Sequence, residues 1–500
     1  MRLSRLAALC LLLLLSRAAW ADDIGPDQAQ ALQQQLKDWL AGLLGPAVKL
    51  PELGLRVTGE HDHYAVTWPI PGLAGAPDKA TATANLRPLD GGRWSVDEMK
   101  VPPSGNFTVT IPETGEAGKS PPLDVQFSIG HQDTHGVIDP GLTTASKLHT
   151  ELGDVVVTSD SAKQHQEQHI DRYLVDTSLT PAQSGRLDLS MDASAGGWKS
   201  ATQINGGTPM AIGIQTMRAV GQVNGVNRDR FAELLAATGG FIGSLPPDIA
   251  TRGEKLDLPA PVRAQLRLMV ESLQDMLTSV NLEETVDGLQ VELAGTGGLS
   301  IKHLLLGFGG EAPEGRLHAW IELGLDELAS PSLPPKIATY LPHHVELKPS
   351  LSGIPTADLH KLAMDATEAG ADSSTLAPDI AAILSHGGAE LGVETLSFDL
   401  GPAKVTGTGR VTITSPGAWH GEAHLAATGF DELATQARTN PDLQQALPAL
   451  VMLRGLAKPD GERLVWDIVS DGPSVKVNGL DLSQLGGEKP KGKPGQRPSR

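Results

Sequence analysis

The chain has 500 residues, a formal net charge of −19 and one cysteine, Cys10. A chain this acidic would repel phosphate groups, so the composition argues against nucleic acid as a partner. Cys10 lies in the apolar N-terminal run, which leaves the rest of the chain without a disulfide, a thiolate metal site or a cysteine nucleophile.

The first 21 residues have the pattern of a secretory signal peptide. Arg2 and Arg5 give a positive start, residues 6–15 are apolar, and Ala18-Ala19-Trp20-Ala21 offers a cleavage site with small residues. The apolar run is too short for a membrane-spanning helix, and no second long apolar run follows. We therefore expect cleavage before Asp22, a periplasmic location and no transmembrane segment in the mature chain. The alternative is an uncleaved N-terminal anchor.

Residues 27–44 are predicted to form an amphipathic helix that packs on a sheet, because Leu32, Leu36 and Leu40 recur at helical spacing. From residue 53 to about 210 the pattern changes to period two. This alternation indicates an antiparallel sheet that buries one face, and the short connections favour a meander. The alternating apolar residues are Tyr64, Val66, Trp68 and Ile70; Phe107, Val109 and Ile111; Leu123, Val125, Phe127 and Ile129; and Leu187, Leu189 and Met191.

A short phrase recurs in the second half of the chain. Gly324-Leu325-Asp326-Glu327 reappears as Gly429-Phe430-Asp431-Glu432, with fainter copies at Gly225-Val226-Asn227 and Gly479-Leu480-Asp481. Glycine followed by Asp or Asn predicts a strand-to-helix corner in which the polar side chain caps the helix. The corners lie about one hundred residues apart, which predicts repeated units of helices followed by strands. A catalytic carboxylate pair is the alternative role for Asp326 and Asp431.

The predicted fold is α+β: one large, twisted, mainly antiparallel sheet with helices packed on its apolar face and internally repeated units. The predicted divisions are a signal peptide at 1–21, a helix and antiparallel meander at 22–224, repeated units at 225–487 and a disordered basic tail at 488–500. The helices of the repeated units are predicted at 228–237, 261–280, 357–368, 377–385, 432–438 and 441–453. Their strands are predicted at 289–293, 299–306, 316–323, 393–400, 403–413, 422–427, 463–469 and 474–478.

Fifteen histidines invite a metal hypothesis. His165 and His169 have the spacing that places two imidazoles on one helix face, but they lack the His-Glu-x-x-His order of a zinc protease. Three other groups have residue types that suit a metal and are interpreted as surface histidines: His61-Asp62-His63, His131-Gln132-Asp133-Thr134-His135 and His343-His344. The sequence therefore assigns no metal site, no cofactor and no catalytic residue.

Glycine-rich stretches and tryptophans also admit a functional interpretation. Residues 307–310 and 407–410 do not complete a phosphate-binding loop and are interpreted as strand ends or bulges. Trp94, Trp198, Trp320 and Trp419 lie close to strand ends, where packing is the commoner use than a binding platform.

The leader, the N-terminal helix, the alternating sheet and the closing phrase Val475-Lys476-Val477-Asn478-Gly479-Leu480-Asp481-Leu482 together resemble an uncharacterised family. It is the domain-of-unknown-function family twenty-one twenty-five of alpha-proteobacterial envelope proteins, which is distantly similar to AsmA-like periplasmic proteins. The resemblance implies a long curved sheet whose apolar face guides lipid, and it carries over no catalytic residue.

Two functions are consistent with the sequence. The first is a non-enzymatic periplasmic protein that binds lipid or another component of the cell envelope. The second is a periplasmic hydrolase or metal-dependent enzyme whose site is assembled from distant His and carboxylate residues. An open apolar groove would favour the first, and convergent His and carboxylate side chains in a pocket would favour the second.

Overall fold

The computed structural model describes residues 24–44, 54–70, 81–109, 123–139, 144–205, 207–245, 258–295, 297–368, 373–386, 388–415 and 418–482. The predicted signal peptide, the predicted basic tail and Ile111 of the predicted alternation lie outside these residues.

The strands of the described residues join one open antiparallel sheet, which confirms the predicted α+β class and the meander. In chain order they are β1 (Arg56–Gly59), β2 (Tyr64–Pro69), β3 (Thr81–Leu89), β4 (Arg93–Lys100), β5 (Ser104–Val109), β6 (Leu123–Asp139), β7 (Thr144–Asp160), β8 (Gln164–Pro181), β9 (Leu187–Ile204), β10 (Met210–Val226), β11 (Ser279–Leu293), β12 (Gly297–Glu311), β13 (Arg316–Ala329), β14 (Pro342–Pro355), β15 (Glu390–Leu400), β16 (Ala403–Ser415), β17 (Ala418–Thr428), β18 (Lys458–Asp460), β19 (Arg463–Asp471), β20 (Ser474–Val477) and β21 (Leu480–Asp481).

Consecutive strands from β6 to β17 pair with each other, and β17 pairs with β19. Near the N-terminus β4 and β5 both pair with β6, and near the C-terminus β18 and β20 both pair with β19. The helices are α1 (Pro26–Leu44), α2 (Arg228–Ser244), α3 (Ala260–Leu273), α4 (Pro335–Ala338), α5 (Thr356–Ala366), α6 (Ser373–His386), α7 (Phe430–Thr439) and α8 (Leu447–Leu456).

The two faces of the sheet follow from the register, because directly opposed residues share a face and successive residues alternate between faces. We call the face that carries Leu152 and Leu304 the front face, and the face that carries His149 and His303 the back face. Register pairs connect the two residues of each face across the intervening strands.

A row of left-handed residues crosses the sheet on alternate strands. Its members are Asp154 on β7, Gly197 on β9, Gly288 on β11 and Glu327 on β13, with φ values of 50°, 63°, 64° and 49°. Pairs on both sides of each kink keep one register, so no residue is inserted. We call this row the crease; it interrupts the extended backbone at the same depth in each of these strands.

The apolar alternation changes phase at the crease. On β12, Leu304 and Phe308 lie on the front face, whereas Leu299 and Ile301, beyond the crease, lie on the back face. The prediction of one continuous apolar face from Tyr64 to Met191 is therefore wrong: Tyr64 and Met191 lie on the front face, but Val125, Phe127 and Ile129 lie on the back face.

Helices pack on the front face at both ends of the sheet. Leu32 and Leu36 of α1 are buried against Tyr64, Leu86 and Trp94, which confirms the predicted role of this helix. At the other end Phe430 and Trp466 pack with ring centroids 5.7 Å apart. Between them, Phe231 of α2 contacts Leu179, Leu187 and Val226.

The predicted corners are right at one copy, partly right at a second and wrong at the other two. Asn227 accepts hydrogen bonds from the backbone N–H groups of Asp229 and Arg230, as a helix cap does. Helix α7 begins after Gly429 as predicted, but Asp431 lies inside its first turn and binds Arg454 instead of capping.

The prediction for Asp326 is wrong, because the phrase around it continues β13 to Ala329. Asp326 faces His303 and His344 on the neighbouring strands, so its side chain is in the sheet and not at a helix start. Gly479 lies between β20 and β21 and does not precede a helix. Two of the four copies therefore do not mark a strand-to-helix corner, although a pair of helices followed by strands recurs at α2–α3, α5–α6 and α7–α8.

Two boundaries differ for identifiable reasons. The helix predicted at 261–280 ends at Leu273, and β11 already begins at Ser279. Residues 342–355, for which no strand was predicted, form β14, so His343 and His344 lie in a strand. Most of its residues are half-buried on both faces, so β14 lacks the apolar–polar alternation that identifies a strand.

Candidate functional site: an apolar strip and a polar groove

The central feature of the front face is a row of twelve directly opposed apolar residues that crosses the sheet from β7 to β19. The residues are Leu152, Tyr173, Ala195, Met217, Val286, Leu304, Leu325, Val345, Phe398, Val405, Ala427 and Leu464. At about 4.8 Å per strand such a row is roughly 50 Å long. No loop or helix interrupts it, because every member lies in a strand.

Two parallel rows widen this feature on the side away from the crease. One passes through Leu306, Leu323, Leu347 and Leu396 to Leu425 and Trp466. The other begins at Tyr64 and Leu86, beneath α1, and reaches Met191, Leu282, Phe308 and Ile321. We call the three rows together the apolar strip; it connects the core under α1 with the core under α7 and α8.

The middle of the apolar strip is open to solvent. Phe308 faces Ile321 and Leu306 faces Leu323 on β12 and β13. Phe308 is 45% exposed, Ile321 is 50% exposed, and Leu306 and Leu323 are each 41% exposed. All four lie near the centre of the sheet. Adjacent large apolar side chains with this exposure form a candidate interaction surface.

Polar groups and helices border the apolar strip. On the crease side Nζ of Lys302 lies 2.5 Å from Oε1 of Glu327. On the opposite side α2 contacts α3, α3 contacts α5, and α5 contacts α6, so these helices form a continuous wall. Glu284 of β11 interrupts the row that contains Leu306, because it lies between Ala219 of β10 and Leu306 of β12.

The back face carries a polar row one residue away from the apolar row. Asp287, His303, Asp326, His344 and Asp399 are directly opposed on five successive strands, β11 to β15. Nδ1 of His303 is 2.7 Å from Asp287, and Nδ1 of His344 is 2.7 Å from Asp326. The hydrogen bond with His303, with a smaller contribution from the Thr216 hydroxyl, lowers the pKa of Asp287 below its ordinary value.

A groove of about 870 Å³ lies between β4 and β10, lined largely by side chains of the back face. His135, His149, Lys147, Asp176 and Asp192 line it. His135 faces His149, His149 faces Asp176, and Asp176 faces Asp192, so the polar lining comes from one row of four strands.

One group of side chains at this groove has the geometry of metal ligands. The ligand atoms of Asp133, His135 and His149 all lie within 4.8 Å of one another. Nδ1 of His149 is 2.7 Å from Oδ1 of Asp176, and the two imidazole rings are 4.7 Å apart. The sequence singled out Asp133 and His135 but not His149 or Asp176, which come from the next two strands.

The other histidine candidates do not converge. His165 and His169 lie in β8, not on a helix; His165 binds Asp160 at 2.6 Å and His169 is 3.7 Å from Asp171. In the turn before β2, Asp62 binds His63 and Arg87, and the hydrogen bond with His63 lowers the pKa of Asp62.

The tryptophans have separate environments. Trp94 is buried in the core under α1, edge-on to Tyr64. Trp320 lies on the back face, with its ring 5.2 Å from that of His318 and 5.7 Å from Nζ of Lys348. Trp419 donates a hydrogen bond from Nε1 to Ser470 Oγ at 3.2 Å. Trp198 faces Ile214 on the back face beyond the crease.

The comparison with protein families supplies one match. Residues 344–485 match the model of DUF2125, an uncharacterized protein conserved in bacteria. The resemblance expected from the sequence is confirmed over this range, which begins in β14 and extends beyond β21. No curated protein matches the chain. None of the helices in the described part of the chain has the length and hydropathy of a membrane span.

Proposed function

We propose that this protein is a non-enzymatic protein of the bacterial periplasm that binds the acyl chains of lipid along the apolar strip. The observation that supports the proposal is the apolar row of twelve residues together with the exposed cluster of Leu306, Phe308, Ile321 and Leu323. The signal-peptide pattern of residues 1–21 supports the periplasmic location. The match to DUF2125 supports a bacterial source.

An acyl chain suits the strip better than a peptide does. Backbone N–H and C=O groups of inner strands such as β12 are paired on both sides with β11 and β13. The strip therefore offers side-chain surface and no free backbone groups, whereas a peptide must satisfy its own backbone hydrogen bonds. An acyl chain has no such requirement, and each buried methylene contributes about 0.8 kcal/mol.

The groups that border the strip suit a lipid with a polar head. Lys302 and Glu327 stand at the crease next to Leu304 and Leu325 of the apolar row. A head group at this border would stay in contact with water and charged side chains while the acyl chain lies among the leucines. The distant likeness to AsmA-like proteins fits the same use of a long sheet.

A displacement assay with a fluorescent fatty acid on the protein without residues 1–21 tests the proposal. We expect saturable binding that unlabelled fatty acid reverses. Phe308→Asp and Ile321→Asp each place a charge in the exposed part of the strip, because both side chains are about half exposed and face each other. Each should weaken probe binding at least tenfold, since a carboxylate against an acyl chain loses its hydration.

Leu299→Asp is the matched control. Leu299 lies in the same strand, β12, is 39% exposed, and points to the back face beyond the crease. It should leave probe binding unchanged while thermal unfolding verifies that all three variants are folded. If no acyl probe binds saturably, or if Leu299→Asp weakens binding as much as Phe308→Asp, the strip is not the lipid site.

A further inference from the structure

A group of metal-ligating side chains lies at the groove on the back face and takes no part in the proposed lipid binding. The side chains of Asp133 and His135 lie on the same face of β6, and His149 lies directly opposite His135 on β7. Their ligand atoms lie within 4.8 Å of one another. Two ligands of a tetrahedral zinc ion are about 3.4 Å apart when the bonds are about 2.0–2.1 Å, so small side-chain rotations close the set.

The partner of His149 fixes its orientation. Oδ1 of Asp176 lies 2.7 Å from Nδ1 of His149, which directs Nε2 away from Asp176. A carboxylate on one ring nitrogen of a histidine whose other nitrogen binds metal is the usual outer partner in zinc sites, where it fixes the tautomer and raises the basicity of the ligand. Asp176 is thus a positioning residue and not a ligand.

The charge around the three side chains favours a cation. Glu151 faces Asp133 on β7, and its carboxylate is held by Arg172 through two hydrogen bonds of 2.8 Å and 3.0 Å. Asp133 and Asp176 lack such an arginine partner among the contacts of the described residues, where each binds a histidine. Two carboxylates and two imidazoles therefore meet, and Lys147, which also lines the groove, is not among their contacts in the described residues.

We propose that Asp133, His135 and His149 bind one Zn²⁺ ion at the wall of the groove, with Asp176 as the outer partner of His149. Three protein ligands leave a fourth position, which in zinc proteins is taken by water or by a ligand. His135 and His149 both line the groove, so this position faces its interior. The site is independent of the apolar strip, because its ligands lie on the opposite face.

Zinc titration of the protein without residues 1–21, after treatment with EDTA and in competition with a chromophoric zinc indicator, tests the site. We expect one Zn²⁺ per chain and a rise in the unfolding temperature on binding. His149→Ala and Asp133→Ala should each weaken zinc affinity at least tenfold. Asp176→Asn should weaken it about 10–100-fold, because the ring orientation is then less well fixed.

His165→Ala is the matched control. His165 also pairs with an aspartate, Asp160, at 2.6 Å and lies in β8 next to β7, but within the described part of the chain it belongs to no group of three metal-ligating side chains. The His165→Ala variant should bind zinc with the same affinity as the unsubstituted protein. The proposal is overturned if zinc binds without a defined stoichiometry, if His149→Ala binds it unchanged, or if His165→Ala weakens it equally. Far-UV circular dichroism identifies any variant that fails to fold, and Asp133→Asn then replaces it.

Discussion

His303 and Asp287 lie directly opposite each other on β12 and β11, with Nδ1 of the histidine 2.7 Å from Oδ1 of the aspartate. The contact begins a series in which Asp326, His344 and Asp399 follow on the next three strands. Hydrogen-bonded pairs of directly opposed side chains stabilise neighbouring strands, whereas like charges at such positions destabilise them. The polar row thus contributes to the register of the sheet on the face opposite the apolar row.

The Asp287–His303 pair predicts that the stability of the folded chain depends on pH in the acid range. The hydrogen bond with His303 lowers the pKa of Asp287 in the folded chain, so the unfolded chain binds more protons in the acid range. The resulting stability is present above the ordinary Asp pKa of about 3.9 and is lost as the pH falls through the lower, folded pKa. Asp287→Asn should reduce stability at pH 7 by no more than about 1 kcal/mol, because the pair is half exposed.

Urea unfolding of both proteins between pH 2 and pH 7 measures this effect. The two unfolding curves should differ at neutral pH and converge at the acid end, where Asp287 is protonated in the folded and unfolded chains alike. A difference that stays constant over the whole range would show that the substitution acts through packing and not through the carboxylate.

The ion pair between Asp431 and Arg454 predicts that α7 and α8 are coupled by charge. Nε of Arg454 is 2.6 Å and its Nη2 is 3.3 Å from the two oxygens of Asp431. A double-mutant cycle with Asp431→Asn and Arg454→Gln should give a coupling energy of about 0.2–1 kcal/mol that decreases in high salt. A helix cap at Asp431 would instead make Asp431→Asn silent, since Asn caps as well as Asp.

At Gly309 the back face has no room for a larger side chain. Gly309 lies opposite Trp320, and a Cβ atom at this position would overlap the indole ring. Gly309→Ala should therefore lower the free energy of unfolding by about 1–3 kcal/mol. At the neighbouring Gly310 the nearest atom to such a Cβ is 3.7 Å away. Gly310→Ala should then be neutral or slightly stabilising, because Ala restricts the unfolded chain. Denaturant unfolding of both variants distinguishes a clash with Trp320 from a general intolerance of side chains in β12.

The leader predicts the start of the mature protein. Expression of the whole chain in a Gram-negative host should give a periplasmic protein whose first residue is Asp22, because Ala19 and Ala21 suit the signal peptidase. N-terminal sequencing of the periplasmic fraction checks this. Retention of Met1 in the membrane fraction would support the uncleaved anchor instead.

Much of the fold could be predicted from local patterns, and the errors next to the crease have one physical cause. The helix α1, the antiparallel meander and the strands near β16 and β19 follow from spacing and alternation. The strands next to the crease were predicted too short: β11 was expected at 289–293 but begins at Ser279. Its apolar residues move from even to odd positions at Gly288, so a search for one continuous alternation recovers only one half.

The candidate sites depend on contacts between strands, which sequence spacing does not reveal. His135 lies on β6 and His149 on β7, and only the observed register of these two strands places their rings together. The apolar strip likewise needs the register of twelve strands. By contrast, Asn227 was recognised correctly, because a helix cap is encoded within four residues.

The meander has a consequence for how such a protein can change in length. Each hairpin continues the apolar row by two residues, hairpins between β11 and β15 also continue the polar row, and each hairpin contacts mainly the strand added before it. A closed sheet fixes its number of strands, whereas this one has two ends and no geometric condition linking them. Insertion or loss of a whole hairpin between β6 and β17 would therefore lengthen or shorten the apolar strip by about 10 Å without altering its width. Homologues of different size are expected to differ by pairs of strands.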